Sequence, residues 1–197
     1  MDEMVKLAMA KWPKVPHCYG WLALDGRGVW RMRDERAQAL NLPGEPIRHP
    51  ALLAFINRNY AADERGCHYF QNGPQRVYLH LEITPWVAKL DPQQGMLLHT
   101  GELVGEIDAA WLSDKGHLIF TSNDKLICLD DRDWIHCVDQ LRQNDQPLTE
   151  QNFEHWLNGT PDSHQPCWHW QHQILPLGHI NEQDLATRFG FQTRPHA

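Results

Sequence analysis

The stretch HYFQNGPQRVYLHLEITPWVAKL, at residues 68–90, decides the fold of this chain. Residues 72–74, Asn-Gly-Pro, mark a turn, because glycine tolerates positive φ and proline cannot continue a strand ladder. Residues 76–83 then alternate between apolar and polar side chains, which is typical of a half-buried strand. A period of two resumes at Trp86. The stretch therefore predicts a hairpin that is followed by a further strand.

A looser copy of this stretch, HLIFTSNDKLICLDDRDWIHCV, follows at residues 117–138. The matching pairs are His68 and His117, Phe70 and Phe120, Leu81 and Leu129, and Trp86 and Trp134. After Asp131 the apolar residues of the copy change to helical spacing, so the two copies agree better in residue type than in period. A tandem duplication and a chance similarity both stay open as interpretations.

The segments on either side of the central stretch predict further short elements. Residues 17–33 indicate a hairpin around an Asp25-Gly26 turn. Residues 34–49 are expected to be an irregular connection, and Pro50 then opens a helix over residues 51–60.

The second half of the chain predicts helices that alternate with strands. A helix is expected at about residues 132–142. Thr149 and Asn181 are N-cap candidates for two later helices. Between those helices, the alternation in residues 167–175 indicates one strand that ends at Pro176.

These elements together predict an α+β fold with mostly antiparallel strands. We expect two related small sheet-and-helix units in tandem, plus a C-terminal helix–strand–helix extension. The predicted boundaries are a lead-in at residues 1–16, a first unit at 17–91, and a second unit with the extension at 92–197.

The composition argues against several classes of function. The formal net charge is -7 over 197 residues, and no Lys/Arg cluster is long enough to follow a nucleic-acid backbone, so we expect no nucleic-acid partner. Asp2, Glu3 and Lys6 interrupt the apolar core that a signal peptide needs, and no apolar run approaches the ~20 residues of a membrane span. We therefore expect a cytoplasmic protein with no membrane partner. The five cysteines, without a CxxC pair, predict reduced thiols.

Metal binding is the most specific chemical hypothesis that the 13 histidines suggest. On a strand through residues 167–175, Cys167 and His169 share one face and would supply two zinc ligands. A metal-binding protein or a metal-dependent hydrolase that adds a distant histidine is therefore one alternative. The other alternative is that these histidines are ordinary surface or hydrogen-bonded residues, because the spacing indicates no third metal ligand.

Other catalytic and cofactor motifs are missing from the sequence. It contains neither a Walker sequence nor GxGxxG, so we expect no cofactor. The cysteines do not lie in a glycine-rich elbow, where a thiolate would be stabilised, which favours binding over catalysis.

Some of the nine tryptophans are the candidate binding residues. Alternation places Trp168 and Trp170 on one strand face with His172, where they are either core or a surface for a flat ligand or partner. The binding hypothesis is a groove between the two units that holds a small molecule or a protein segment. The tryptophans expected to border this groove are Trp86, Trp134, Trp168 and Trp170. A homodimer through an exposed strand edge is a further alternative.

The order of these features resembles the proteobacterial domain-of-unknown-function family 1285. The similarity covers roughly residues 20–142 and begins with GWLALDGRGVWRM at residues 20–32. The segment Pro46-Ile47-Arg48-His49-Pro50 matches the family's helix motif, with His49 as an added residue. The positions that follow the pattern of the family's strand pair are Tyr69, Phe70, Val77, Leu79, Pro85, Trp86 and Ala88. A small related family with the same WPxVPxCYGWL opening is the alternative. The resemblance implies two related α/β units with a role in signalling or ligand binding, and it implies no catalytic residues.

Overall fold

The computed structural model describes residues 1–159 and 164–196, which form α-helices and two mixed β-sheets. The helices are α1 (Glu3–Lys11), α2 (Glu35–Ala39), α3 (Pro50–Arg58), α4 (Trp134–Val138), α5 (Glu150–Leu157) and α6 (Glu182–Phe189). A 3₁₀ turn, Asp131–Asp133, leads into α4. No helix in these two ranges is long and apolar enough to cross a membrane.

The first sheet has six strands in the order β3-β2-β1-β6-β5-β4. These strands are β1 (Cys18–Leu24), β2 (Trp30–Met32), β3 (Glu45–Pro46), β4 (Tyr60–Ala62), β5 (His68–Asn72) and β6 (Gln75–Leu81). Both predicted hairpins are confirmed, because β1 pairs with β2 and β5 pairs with β6, in each case antiparallel.

The second sheet has nine strands in the order β13-β12-β14-β15-β9-β10-β11-β7-β8. These strands are β7 (Trp86–Asp91), β8 (Gly95–Leu98), β9 (Ala109–Ser113), β10 (Leu118–Ser122), β11 (Lys125–Leu129), β12 (Leu141–Gln143), β13 (Gln146–Pro147), β14 (Cys167–Trp170) and β15 (Gln173–Ile180). The expected boundary after residue 91 stays a prediction. In the described residues β7, which precedes that boundary, pairs with β8 and β11 of the second sheet.

The same strand topology occurs twice, which confirms the predicted tandem arrangement of two related units. In each half an antiparallel hairpin, β1–β2 or β7–β8, is followed by a three-stranded meander, β4–β5–β6 or β9–β10–β11. The last strand of each meander lies parallel to the first strand of its hairpin, with Leu81 opposite Leu24 and Leu129 opposite Ala88. Trp86 and Trp134 are not equivalent, because Trp86 begins a hairpin and Trp134 begins a helix.

Three predicted elements differ from the observed ones. Residues 167–175 form two strands around a tight turn, so His172 lies in that turn. The helix expected at 132–142 ends at Val138, and a short strand follows it. The connection at 34–49 contains α2, whose N-cap Asp34 accepts a hydrogen bond from the Ala37 N–H.

Two apolar clusters occupy the opposite faces of the second sheet. Alternation along β10 and β11 places Ile119 and Cys128 in the first cluster and Phe120 and Ile127 in the second. The first cluster also contains Leu22 and its neighbours from the first sheet, so the two sheets share this core. The second cluster packs against α4 and α5 through Trp134, Phe153 and Trp156.

The C-terminal helix α6 closes one side of the shared core. Asn181 is its N-cap, as predicted, and its side chain accepts a hydrogen bond from the Gln183 N–H. The helix buries Leu185 and ends at Gly190, which takes the left-handed conformation with φ 68°. The chain then leads Phe191 into the same core.

Candidate functional site

A cluster of aromatic and histidine rings joins the two sheets around Tyr60. The Tyr60 ring centroid lies 4.9 Å from Trp86, 5.3 Å from Trp30, 5.5 Å from His68 and 5.7 Å from His99. Trp30, Tyr60 and His68 belong to the first sheet, Trp86 begins the second, and His99 follows its strand β8. The Tyr60 hydroxyl donates a 2.6 Å hydrogen bond to the Pro85 carbonyl, which fixes the ring at the junction of the sheets.

His99 is held in one neutral tautomer inside this cluster. Its Nδ1 accepts a hydrogen bond from the Val87 N–H at 3.2 Å, so the ring proton is on Nε2. The buried Nε2 has no hydrogen-bond partner among the residues that the structure describes. The rings of Trp30, Tyr60 and Trp86 lie around the imidazole, with centroids 5.2, 5.7 and 5.7 Å from its own. Burial lowers the pKa of His99 to about 3.

Gly28 allows the hairpin turn of the first sheet to lie against His99. Its φ is +73°, and a Cβ at this position would lie 2.7 Å from the Cβ of His99. Glycine tolerates both the positive φ and the close approach to His99, because it has no side chain. The contact brings the β1–β2 turn onto the end of the β7–β8 hairpin.

Beside the cluster lies an open groove of about 580 Å³ between the two sheets. Its lining residues are Ala62, Gly66, His68, Pro85, Trp86, Asp108, Thr121, Asp124, Leu126, Phe189, Gly190 and Phe191. They come from the first sheet, the second sheet and the C-terminal segment, so the groove exists only when all three parts are in place.

His68 is the buried polar residue of the groove. The side chain lies almost wholly inside the protein, and its Nδ1 has no hydrogen-bond partner within residues 1–159 and 164–196. Burial lowers the pKa of His68 to about 4, so the imidazole is neutral at pH 7. A neutral imidazole nitrogen can form one hydrogen bond, and the buried Nδ1 leaves this capacity unused within the described residues.

Two carboxylates give the groove a negative rim. Asp108 and Asp124 line it and are exposed, and neither forms an ion pair in the described part of the chain. The nearby cation Lys125 is already paired with Glu102 at 2.8 Å, and its Nζ lies 5.3 Å from the Trp86 ring centroid.

The four tryptophans expected to border one groove lie in different places. Trp86 lines the groove. Trp168 is fully buried in the second core, and Trp170 packs beside it with ring centroids 5.4 Å apart. Trp134 packs against the same core from α4. His172 is exposed in the β14–β15 turn, where its Nε2 lies 3.5 Å from a carboxylate oxygen of Glu106.

The two candidate metal ligands lie on one strand without further ligands. Cys167 and His169 are half-buried on β14. No group of three His, Cys, Asp or Glu side chains in the described residues is arranged to hold a metal ion. The metal hypothesis therefore gains no third ligand from the fold.

The sequence interpretation missed Tyr60 and His99 as parts of the site. The predicted helix over residues 51–60 includes Tyr60, whereas Tyr60 begins β4. His99 follows an apolar strand as an isolated histidine. Their contacts span long sequence separations, and local periodicity contains no signal for such contacts.

Comparison with known proteins gives the family. A family model described as "Protein of unknown function (DUF2946)" matches residues 1–196. The chain belongs to this family, DUF2944. The DUF2944 fold is similar to the crystal structure of a DUF1285 family protein from Silicibacter pomeroyi DSS-3, with a TM-score of 0.50 and 12% identity over 91% of this chain and 97% of that chain.

A second DUF1285 family protein, from Shewanella baltica OS155, matches with a TM-score of 0.39 and 13% identity over 59% of this chain and 88% of that chain. No curated protein matches the DUF2944 chain. The similarity to the Silicibacter pomeroyi DSS-3 structure confirms, at the level of the fold, the resemblance to family 1285 expected from the sequence.

Proposed function

We propose that the DUF2944 protein binds a small molecule with a flat apolar body and a positively charged amine in the groove between its two sheets. The observation that supports this most is that one groove combines Trp86, His68 and the carboxylates of Asp108 and Asp124. Among the described residues His68 Nδ1 has no hydrogen-bond partner and neither carboxylate forms an ion pair. Its volume of about 580 Å³ lies within the range of about 300–1,000 Å³ that is usual for small-molecule sites.

The apolar part of the ligand would lie against the aromatic side of the groove. Trp86, Phe189 and Phe191 supply ring surface there, and aromatic rings stack well on flat molecules. One neighbour of Trp86 is already the cation Lys125, so the ligand would use the remaining surface of the indole.

The polar part of the ligand would face the rim. Asp108 and Asp124 favour a cation over an anion, because neither carboxylate is neutralised by a neighbouring side chain in the described ranges. The neutral His68 imidazole would add one hydrogen bond.

Binding fits the cysteine environments better than thiol catalysis does. Burial raises the pKa of Cys67 and raises that of Cys137 to about 12. A thiol with a raised pKa is a poor nucleophile at pH 7, because the thiolate is the reactive form.

The first test compares three probes that share a phenyl ring and carry a positive, a neutral or a negative polar group. Isothermal titration with 2-phenylethylamine, 2-phenylethanol and phenylacetate should give affinities that fall in this order. Equal affinities, or tightest binding of phenylacetate, would contradict the proposed ligand class.

The second test uses matched variants. Asp124→Asn should weaken the binding of 2-phenylethylamine by several-fold, since an exposed ion pair contributes about 0.2–1 kcal/mol. Asp145→Asn is its control, because Asp145 is also exposed in a hairpin turn, with φ 61° against 60° for Asp124, and does not line the groove.

Trp86→Leu should abolish binding, while Trp12→Leu, at an exposed tryptophan outside the groove, should leave binding unchanged. Binding that survives Trp86→Leu would refute this location.

A further inference from the structure

Arg33 is a buried cation with neutral partners only. The residue is 3% exposed at the end of the first sheet. Its guanidinium donates to the carbonyls of Leu42, Ala37 and Gly20 at 3.0, 3.3 and 3.5 Å, and to Asn41 Oδ1 at 3.5 Å. No carboxylate forms an ion pair with it among the described residues. A buried charge without a countercharge is costly, so a bound anion would stabilise it.

His80 completes the contacts of Arg33 and faces the same cavity. Arg33 donates a hydrogen bond from Nη1 to His80 Nδ1. Burial, and then the charges of Arg33 and Arg194, lower the pKa of His80 to about 4. The ring is therefore neutral at pH 7 with its proton on Nε2, which makes it a hydrogen-bond donor.

Arg194 places a second free cation at this cavity. It comes from the C-terminal segment, is exposed, and lines the cavity together with Arg33 and His80. Burial lowers the pKa of the Arg33 guanidinium, and the neighbouring charge of Arg194 lowers it further. Within the described ranges Arg194 forms no ion pair. Two neighbouring arginines without countercharges favour an anion between them.

The two carboxylates that line the cavity have other partners. Asp25 is paired with Arg31 at 2.7 Å and accepts the Val29 N–H of the hairpin turn at 2.8 Å. Glu82 accepts the Gly26 N–H at 2.9 Å. Asp25 and Arg31 neutralise each other, and the two charges of Arg33 and Arg194 outweigh the single negative charge that Glu82 keeps.

The cavity has room for a small oxyanion and for part of a larger molecule. Its volume is about 220 Å³. A neighbouring cavity of about 310 Å³ shares Asp25, Arg31, Pro43 and Glu82 with it and continues towards His117 in the second half of the chain. An attached group would extend in that direction.

We propose that this cavity binds the carboxylate or phosphate group of a small metabolite between Arg33, His80 and Arg194. Guanidinium groups bind both kinds of oxyanion with paired N–H···O bonds. The long contacts of Arg33 to Gly20 and Asn41 are the ones that a ligand would replace. The proposal is independent of the groove described above, because no residue lines both.

The test titrates the full chain with inorganic phosphate and with malonate, against sodium chloride of equal ionic strength. The structure predicts saturable binding and a higher Tm with at least one of the two anions. Tighter binding of phosphate would identify a phosphorylated ligand, and tighter binding of malonate a carboxylate ligand. No saturable binding of either anion would overturn the proposal.

Two variants with the same change of charge locate the site. Arg194→Gln should weaken anion binding by about tenfold, or about 1.4 kcal/mol, because it removes one charge-assisted hydrogen bond to the anion. Its exposure leaves folding unaffected. Arg48→Gln, at an exposed arginine outside the cavity, should leave the affinity unchanged. Equal affinities of the two variants would overturn the assignment.

Discussion

At the scale of single residues, Gly28 connects the two halves of the molecule. Its missing side chain lets the β1–β2 turn approach both His99 and Val87. Asp25 and Gly26 predict that turn from the sequence, and the structure confirms it. The partner across the turn could not be predicted, since His99 lies in the other sheet and no local pattern links the two.

We predict that Gly28→Ala destabilises the fold. The new methyl group would meet the His99 Cβ at 2.7 Å, in addition to the strain of a positive φ. Gly73→Ala is the matched control, because Gly73 also has positive φ but nothing lies within 4 Å of its added Cβ. Urea unfolding should show that Gly28→Ala loses at least about 1 kcal/mol more than the control. Equal losses would mean that the close contact has no energetic consequence.

His99 should make stability depend on pH. Its pKa of about 3 in the folded protein lies below its ordinary value, so acidification protonates the unfolded chain first. Stability is therefore complete above pH ~6.5 and is lost as the pH falls towards about 3, at about 1.4 kcal/mol per pH unit for one histidine. His68 and His80, each with a pKa lowered to about 4, add losses of the same sign.

The variant His99→Phe isolates this contribution. It removes the titrating group and keeps an apolar ring within the cluster. We expect a lower stability at pH 7.5, because the Val87 N–H loses its acceptor, but a shallower decline between pH 6 and pH 4. Urea unfolding at several pH values measures the slopes. Parallel curves for both proteins would show that His99 does not titrate below its ordinary range.

At the scale of elements, turn chemistry explains which strands could be predicted. The Asp25-Gly26 and Asn72-Gly73 turns contain glycine, and both hairpins are found as expected. The β14–β15 turn has Gln171 at φ 52° and contains neither glycine nor proline. The alternation of CWHWQHQIL continues through it, so one strand was predicted where two exist.

Helix α6 offers a test of capping at this scale. Asn181→Ala removes the side chain that accepts the Gln183 N–H, and should destabilise the protein by about 1 kcal/mol. Gln183→Ala changes an exposed neighbour and should stay within about 0.5 kcal/mol of the wild type. Thermal unfolding compares the two. A loss at Gln183 as large as that at Asn181 would refute the capping role.

At the scale of the whole molecule, two copies of one strand topology meet at a shared core. The residues that match between stretches 68–90 and 117–138 reflect the equivalent hairpins β5–β6 and β10–β11. The match of Trp86 with Trp134 does not extend to the structure, because Trp86 begins strand β7 and Trp134 begins helix α4. Face-to-face packing and the parallel pairings join distant segments, so periodicity does not predict them. A groove lies between the two sheets and is lined by Trp86, whereas Trp134, Trp168 and Trp170 belong to or pack against the second core. Ligand binding in this groove stays a prediction.

The measurement that tests the groove most directly is a methyl NMR titration of the full chain with 2-phenylethylamine. Ala62 in the first sheet and Leu126 in the second both line the groove, so their methyl signals should shift together with one dissociation constant. Leu118 and Leu177, buried in the second core, should not shift. Unchanged signals for Ala62 and Leu126, or shifts confined to the second core, would contradict a ligand site between the two sheets.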